Sequence, residues 1–165
     1  MRVLALDVGS KTIGLARGDT QHGVATPWET LIRRGSAADV VEIARRSALE
    51  RAVALVVGMP LELDGRRGHR ARLVESFVRA LERALPPEIA VTTWDERFST
   101  SAAERSLLEA DVSRSKRKMV IDAVAAQQIL QSWLDAGAPG AIEVSRPRSA
   151  PPGPGQPSGT TAMSG

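Results

Sequence analysis

Residues 3–16 read Val-Leu-Ala-Leu-Asp-Val-Gly-Ser-Lys-Thr-Ile-Gly-Leu-Ala, and they place one acidic side chain at the end of an otherwise apolar run. A short apolar run bounded by glycine fits a strand buried on both faces, and Ile13 to Ala16 resumes the pattern after a Gly-Ser-Lys-Thr turn. Strands joined so closely are antiparallel neighbours. Asp7 is then an ionisable group in apolar surroundings, which disfavour its charged form unless a cation or hydrogen-bond donors stabilise it. A metal ion is one such partner.

The rest of the chain supplies what such a hairpin needs. Gly18 to Gly23 reads as a turn, and Val24 to Arg33 as a third, more exposed strand, giving an antiparallel three-strand start. Ser36 is placed to cap a helix with Asp39 in its first turn, in which Val40, Val41, Ile43, Ala44, Ala48 and Leu49 form the apolar stripe and Arg45, Arg46 and Glu50 the wet face. Val53 to Gly58 is an apolar run ending in glycine, as in a parallel strand covered by helices on both sides. The loop Met59–Gly68 leaves the carboxyl end of that strand, where open α/β sheets place ligands, and leads into a helix over Arg70–Leu85 with Leu73, Val74, Phe77, Leu81 and Leu85 on one face. Arg66, Arg67, His69, Arg70 and Arg72 surround the helix entrance, a position that suits anions.

After Pro86-Pro87 a last strand, Ile89 to Trp94, ends in Asp95-Glu96-Arg97. Ser101 and Glu104 fit a capping box for a short helix. Asp111 to Lys118 has no apolar period and carries Arg114, Lys116, Arg117 and Lys118, which predicts a mobile basic loop. A final helix is expected from Met119 to about Ala136, with Asp122 in its first turn. The fold class is therefore α/β, with a mixed five-stranded sheet, antiparallel for its first three strands and parallel thereafter, and helices on both faces. Residues 1–137 form one domain, and 138–165 a Pro/Gly/Ser-rich tail too poor in apolar bulk to order itself.

Composition narrows the function classes. A chain of 165 residues with 42% hydrophobic content can bury one core. The 22 Lys and Arg exceed the 19 Asp and Glu by only +3, yet the pI of about 10.1 permits a basic face for an anionic partner. With no cysteine, disulfides and thiolate metal sites are excluded. No apolar run reaches the roughly 18 residues of a membrane span, and Met1 leads straight into a strand, so a cytoplasmic protein is expected.

Lys11-Thr12 imitates the end of a P-loop, but Ser10 replaces the glycine before the lysine, and the Gly-x-Gly-x-x-Gly of a dinucleotide site is missing. Two readings of the Asp-x-Gly hairpin remain besides a structural turn: a metal-binding nuclease strand, or the phosphate-gripping hairpin of actin-like and sugar-kinase ATPases. The latter need a second copy of the core to close over nucleotide, for which this chain has no room. Asp7, Asp95-Glu96 and Asp122 are the carboxylates that strand ends and a helix could gather, and clustered hard oxygens suit Mg²⁺ or Mn²⁺ in phosphodiester hydrolysis.

Four ordered stretches, Leu4–Ala16, Val56–Gly65, Trp94–Thr100 and Lys118–Leu130, together resemble the YqgF/RuvX family over about residues 1–135. The resemblance implies an RNase H-like fold related to the RuvC resolvases. It also implies a nuclease of the ester-hydrolase class, acting either in 5′ maturation of pre-16S ribosomal RNA during ribosome biogenesis or as a Holliday junction resolvase. Its metal ligands fall on Asp7, Glu96 and Asp122, with Asp95 a neighbour whose side chain points to the other sheet face, as strand alternation requires. Nucleic-acid contacts are expected from Lys11, Arg66, Arg67, Arg70, Arg97, Arg114, Lys116, Arg117 and Lys118. Thr12 stands where many relatives have arginine, which weakens one expected phosphate contact. A catalytically weak nucleic-acid-binding factor is the remaining alternative; in every case the partner expected is structured RNA or branched DNA, and the protein is expected to act as a monomer or homodimer.

Overall fold

The computed structural model describes residues 1–62, 64–98 and 114–140. Five strands form one mixed sheet: β1 (Arg2–Val8), β2 (Thr12–Asp19), β3 (Val24–Ile32), β4 (Ala54–Met59) and β5 (Ala90–Asp95). Their spatial order is β3-β2-β1-β4-β5, so the strand that carries Asp7 lies at the centre. β1, β2 and β3 run antiparallel in sequence, whereas β4 joins β1, and β5 joins β4, in parallel. This is the mixed, five-stranded arrangement expected from the sequence, antiparallel for its first three strands and parallel thereafter.

Alternation along β1 divides the core into two layers. Leu4, Leu6 and Val8, with Ile13 and Leu15 of β2 and Leu55 and Val57 of β4, pack under α1 (Ser36–Leu49) and α2 (His69–Ala84). Val3 and Ala5, with Ala16, Ala54 and Val56, pack under α3 (Arg114–Asp135), which adds Ala126, Ile129, Leu130 and the fully buried Trp133. The second face is carpeted with Ala and Gly, so the α3 backbone comes close to the sheet. A Cβ at Gly14 would overlap the Asp122 carbonyl, and one at Gly18 would crowd Leu130 and Leu134. Such strand glycines mark a close backbone approach. α3 also reaches the outer strand, where Gln131 accepts from the Ala25 N–H and donates to the Gly23 carbonyl, and Gln127 donates to the Ala25 carbonyl.

Several local expectations need correction. α1 is preceded by Gly35 at φ 108° and has no side-chain cap, because Ser36 is already helical. Asp39 instead accepts from Arg33 Nε at 3.0 Å and from the Arg34 N–H at 2.9 Å, satisfying groups at the helix entrance from inside the first turn. Only Val40 and Ile43 of its expected stripe are buried; Val41, Ala48 and Leu49 face outward, and Ser47 takes the inner position by donating to the Ile43 carbonyl. Arg46 is not on the wet face, for it lies over the Trp28 ring and pairs with Glu29 and Glu42. Leu73 of α2 is likewise exposed. α2 ends where expected, since Leu85 precedes Pro86 and is held extended at ψ 150°.

The largest difference is in α3. Its helix begins at Arg114, so Arg114–Lys118 are helical instead of a loop, and Asp122 is in the interior of the helix. The expected helix near Ser101 and the greater part of the tail, residues 141–165, lie outside the described residues.

The placement of α1 has a measurable consequence. Ile43→Ala removes a side chain 1% exposed and is expected to cost about 2–5 kcal/mol in chemical denaturation, whereas Leu49→Ala, at a residue 68% exposed, should stay within about 0.5 kcal/mol. Equal costs would contradict this orientation of the helix.

Candidate functional site

Asp7 is 8% exposed near the end of the central strand. Because Leu6 and Val8 point into the α1/α2 layer and Val3 and Ala5 into the α3 layer, Asp7 faces α3. Its antiparallel partner is Gly14, and the parallel pairing of Leu6 with Val57 makes Gly58 its neighbour on the other side. Gly14, Asp7 and Gly58 thus form a row across three strand ends, with the acid flanked by two residues lacking side chains.

Each glycine leaves room for a second carboxylate to come over the row. Asp122 lies above Gly14, its backbone resting where a Cβ would be, and its Oδ2 accepts from Thr12 Oγ1 at 2.5 Å. Glu96 opens the short 3-10 turn Glu96–Phe98 that follows β5, and its Oε1 lies 2.8 Å from the position a Gly58 Cβ would take. Asp7, Glu96 and Asp122 therefore surround one row on one face. Among the described residues, no three His, Cys, Asp or Glu side chains are drawn together closely enough to enclose a metal ion. The donor set, all carboxylate oxygen and partly desolvated, nevertheless has the chemistry of a hard divalent cation site.

Asp95 turns the other way. It pairs in register with Met59, whose side chain belongs to the α1/α2 layer, and its carboxylate accepts from Arg97 Nη2 at 2.6 Å, Arg97 Nε at 2.9 Å and the Arg97 N–H at 2.9 Å. These bonds, led by the guanidinium, hold the Asp95 carboxyl below its ordinary range and raise Arg97. Arg97 also lies against Gly65, whose φ of 84° favours glycine, so the strand end is packed on the β4–α2 loop.

The expected basic residues divide into three groups. Arg66 pairs with Asp64 and Arg67 with Glu75, each at 3.0 Å, and Arg97 with Asp95, so these three arginines are shared with carboxylates. Lys11, in the turn two residues after Gly9, and Arg70, in the first turn of α2, are exposed. Arg114, Lys116, Arg117 and Lys118 occupy the first turns of the helix that carries Asp122; their side chains lie outside the described residues. Sequence reasoning missed Thr12, Gly14 and Gly58 as parts of the site. Gly14 and Gly58 had a signal, glycine within or at the end of a strand facing a helix.

The family model described as "RuvX: Holliday junction resolvase" matches residues 1–136. The chain belongs to the RuvX family. A "Putative pre-16S rRNA nuclease" of Roseobacter denitrificans is 46% identical over 133 residues, covering 81% of this chain and 82% of the relative. A protein of the same name from Myxococcus xanthus is 46% identical over 143 residues, covering 84% and 91%. Among solved structures, T. thermophilus RuvC in complex with Holliday junction substrate is similar at a TM-score of 0.49 and 12% identity, over 84% of this chain and 96% of that one. RuvX membership places the chain among nucleases, which hydrolyse phosphodiester bonds.

The Asp95–Arg97 pair in this RuvX chain can be tested by titration. A carboxylate held low in the folded state adds stability above its unfolded pKa of about 3.9, and this is lost as pH falls through the lower folded value. In Arg97→Gln the Asp95 carboxyl, followed by ¹³C NMR, is expected to titrate at higher pH than in the wild type. An unchanged inflection would contradict the pairing.

Proposed function

We propose that this RuvX protein is a divalent-metal-dependent endonuclease of structured nucleic acid, acting in the cytoplasm on the 5′ end of pre-16S ribosomal RNA. The observation that carries the reading is the row Gly14–Asp7–Gly58 with Asp122 and Glu96 over its two ends. Asp7, Glu96 and Asp122 are the residues that would hold Mg²⁺ or Mn²⁺. When bound, such an ion lowers the pKa of a coordinated water and offsets charge on a phosphate oxygen. The protein's own part is to keep the three carboxylates on one face, with Asp7 fixed by the central strand and Asp122 by the close approach of α3.

The residue types at the starts of two helices favour an anionic polymer. Both α2 and α3 begin with basic residues and have no acidic residue in the first turn, so side chains and helix dipoles there are positive together, and a phosphate relieves the repulsion. Lys11 and Arg70 are exposed for such contacts, and Arg66 and Arg67 would share theirs with Asp64 and Glu75. Among the described aromatic side chains, stacking has little to offer. Trp133 is buried, Trp94 donates to Ser132 Oγ at 3.0 Å, Trp28 is covered by Arg17 and Arg46, and Phe77 is in the core. Recognition through backbone and shape, not splayed single-stranded bases, fits that inventory.

The relatives' name favours the RNA substrate, and the family model's description favours a four-way DNA junction as the second reading. Purified protein with Mg²⁺ or Mn²⁺, given a pre-16S 5′ fragment and a four-way junction, is expected to cleave the RNA and to spare the junction. The reverse preference would establish the second reading. Asp7→Asn, which preserves volume and removes the charge, should lower cleavage by more than about 100-fold while the substrate still binds. Cleavage at the wild-type rate would remove Asp7 from the site.

A further inference from the structure

Thr12 touches both the turn that follows Asp7 and the carboxylate of Asp122. It opens β2 and is paired there with Ile32, so its backbone is fixed by the sheet. Its carbonyl accepts from the Gly9 N–H at 2.9 Å, which closes the turn that leaves Asp7. Its hydroxyl donates to Asp122 Oδ2 at 2.5 Å, across from α3. A threonine is stiff at χ1, because two heavy atoms on Cβ restrict rotation. An aspartate on a helix has no such restriction about its carboxyl. One short hydrogen bond from a rigid donor therefore fixes how that carboxylate faces the row and leaves Oδ1 for another partner.

We propose that Thr12 is a positioning residue for the metal site: its hydroxyl orients the Asp122 carboxylate, and its carbonyl fixes the turn after Asp7, so that both acids present oxygens to one cation. The proposal rests on the reading of Asp7 and Asp122 as metal ligands. It assigns a hydroxyl-specific role to the position where the sequence alone suggested only a lost phosphate contact. Partners that orient ligating carboxylates typically change metal affinity by about 10–100-fold when removed. Thr12→Val keeps the branched shape and the backbone contact with Gly9 but removes the donor, whereas Thr12→Ser keeps the donor and removes only a methyl.

The test is a Mn²⁺ titration of the full chain without nucleic acid, read by calorimetry, on the wild type, Thr12→Val, Thr12→Ser and Asp7→Asn, with folding checked by circular dichroism. Thr12→Val is expected to bind Mn²⁺ about tenfold more weakly and Thr12→Ser within about twofold of wild type. Thr12→Ala, which cannot crowd the turn, replaces the valine variant if that one does not fold. Wild-type affinity in a folded variant lacking the hydroxyl, with weakened binding in Asp7→Asn, overturns the role of Thr12 alone. Weakening by serine equal to that by valine does the same, since the effect would then be one of packing. Wild-type affinity in Asp7→Asn overturns the metal reading and this proposal with it.

Discussion

The close approach of α3 to the sheet at Gly14 is the constraint on which the candidate site depends. A side chain at that position would occupy the space of the Asp122 carbonyl, so the helix could not lie where it does. The approach is possible because, beside Val3 and Val56, the α3-facing side of the sheet is built mainly from the small residues Ala5, Gly14, Ala16, Gly18, Ala25, Ala54 and Gly58, whereas the larger Leu and Ile side chains fill the opposite side. Small residues on one face cost hydrophobic burial there. Trp133, Ile129 and Leu130 offset this from the helix, bringing large apolar side chains down onto the alanine carpet. Fold and candidate site thus share one cause, since the pattern that seats the helix also sets Asp122 above Gly14, the cross-strand neighbour of Asp7.

The electrostatics follow from that seating. Asp7 can occupy the middle of an apolar sheet because it is at a strand end, where neighbouring elements can bring polar groups to it. Asp95, one residue before Glu96, is turned to the opposite face and is satisfied by Arg97, so two adjacent acids take up different work. Alternation after Trp94 and Asp95 puts Glu96 on the α3 side, and the 3-10 turn that begins at Glu96 ends β5 at that point, beside Gly58.

Much of the architecture was legible in the sequence because it rests on period-two patterns and turn residues. The β1–β2 hairpin, the apolar run of β4 and the antiparallel start followed by parallel strands all follow from local sequence. α1 was harder: Val41 and Leu49 fit a helical stripe, yet the stripe rotates so that Ser47, able to bond the Ile43 carbonyl, is buried instead. The start of α3 was misplaced because Arg114–Lys118 lacks apolar residues, and helix formation there is continuous with a segment whose packing begins only further on. The candidate acids Asp7, Glu96 and Asp122 stand out in the sequence by type and position, but their geometry does not. That depends on Gly14, Gly58 and Thr12, which matter through contacts with residues about a hundred or about forty positions away.

Paramagnetic broadening of the ¹H–¹⁵N spectrum by substoichiometric Mn²⁺ tests whether Asp7, Asp122 and Glu96 form one cation site over the glycine row. The amides of Asp7, Gly14, Gly58, Glu96 and Asp122 are expected to broaden together, at the lowest ion concentration, and excess Mg²⁺ to restore them together. Broadening centred on other carboxylates, such as Asp19 or Asp64, with these five amides unaffected, would contradict it.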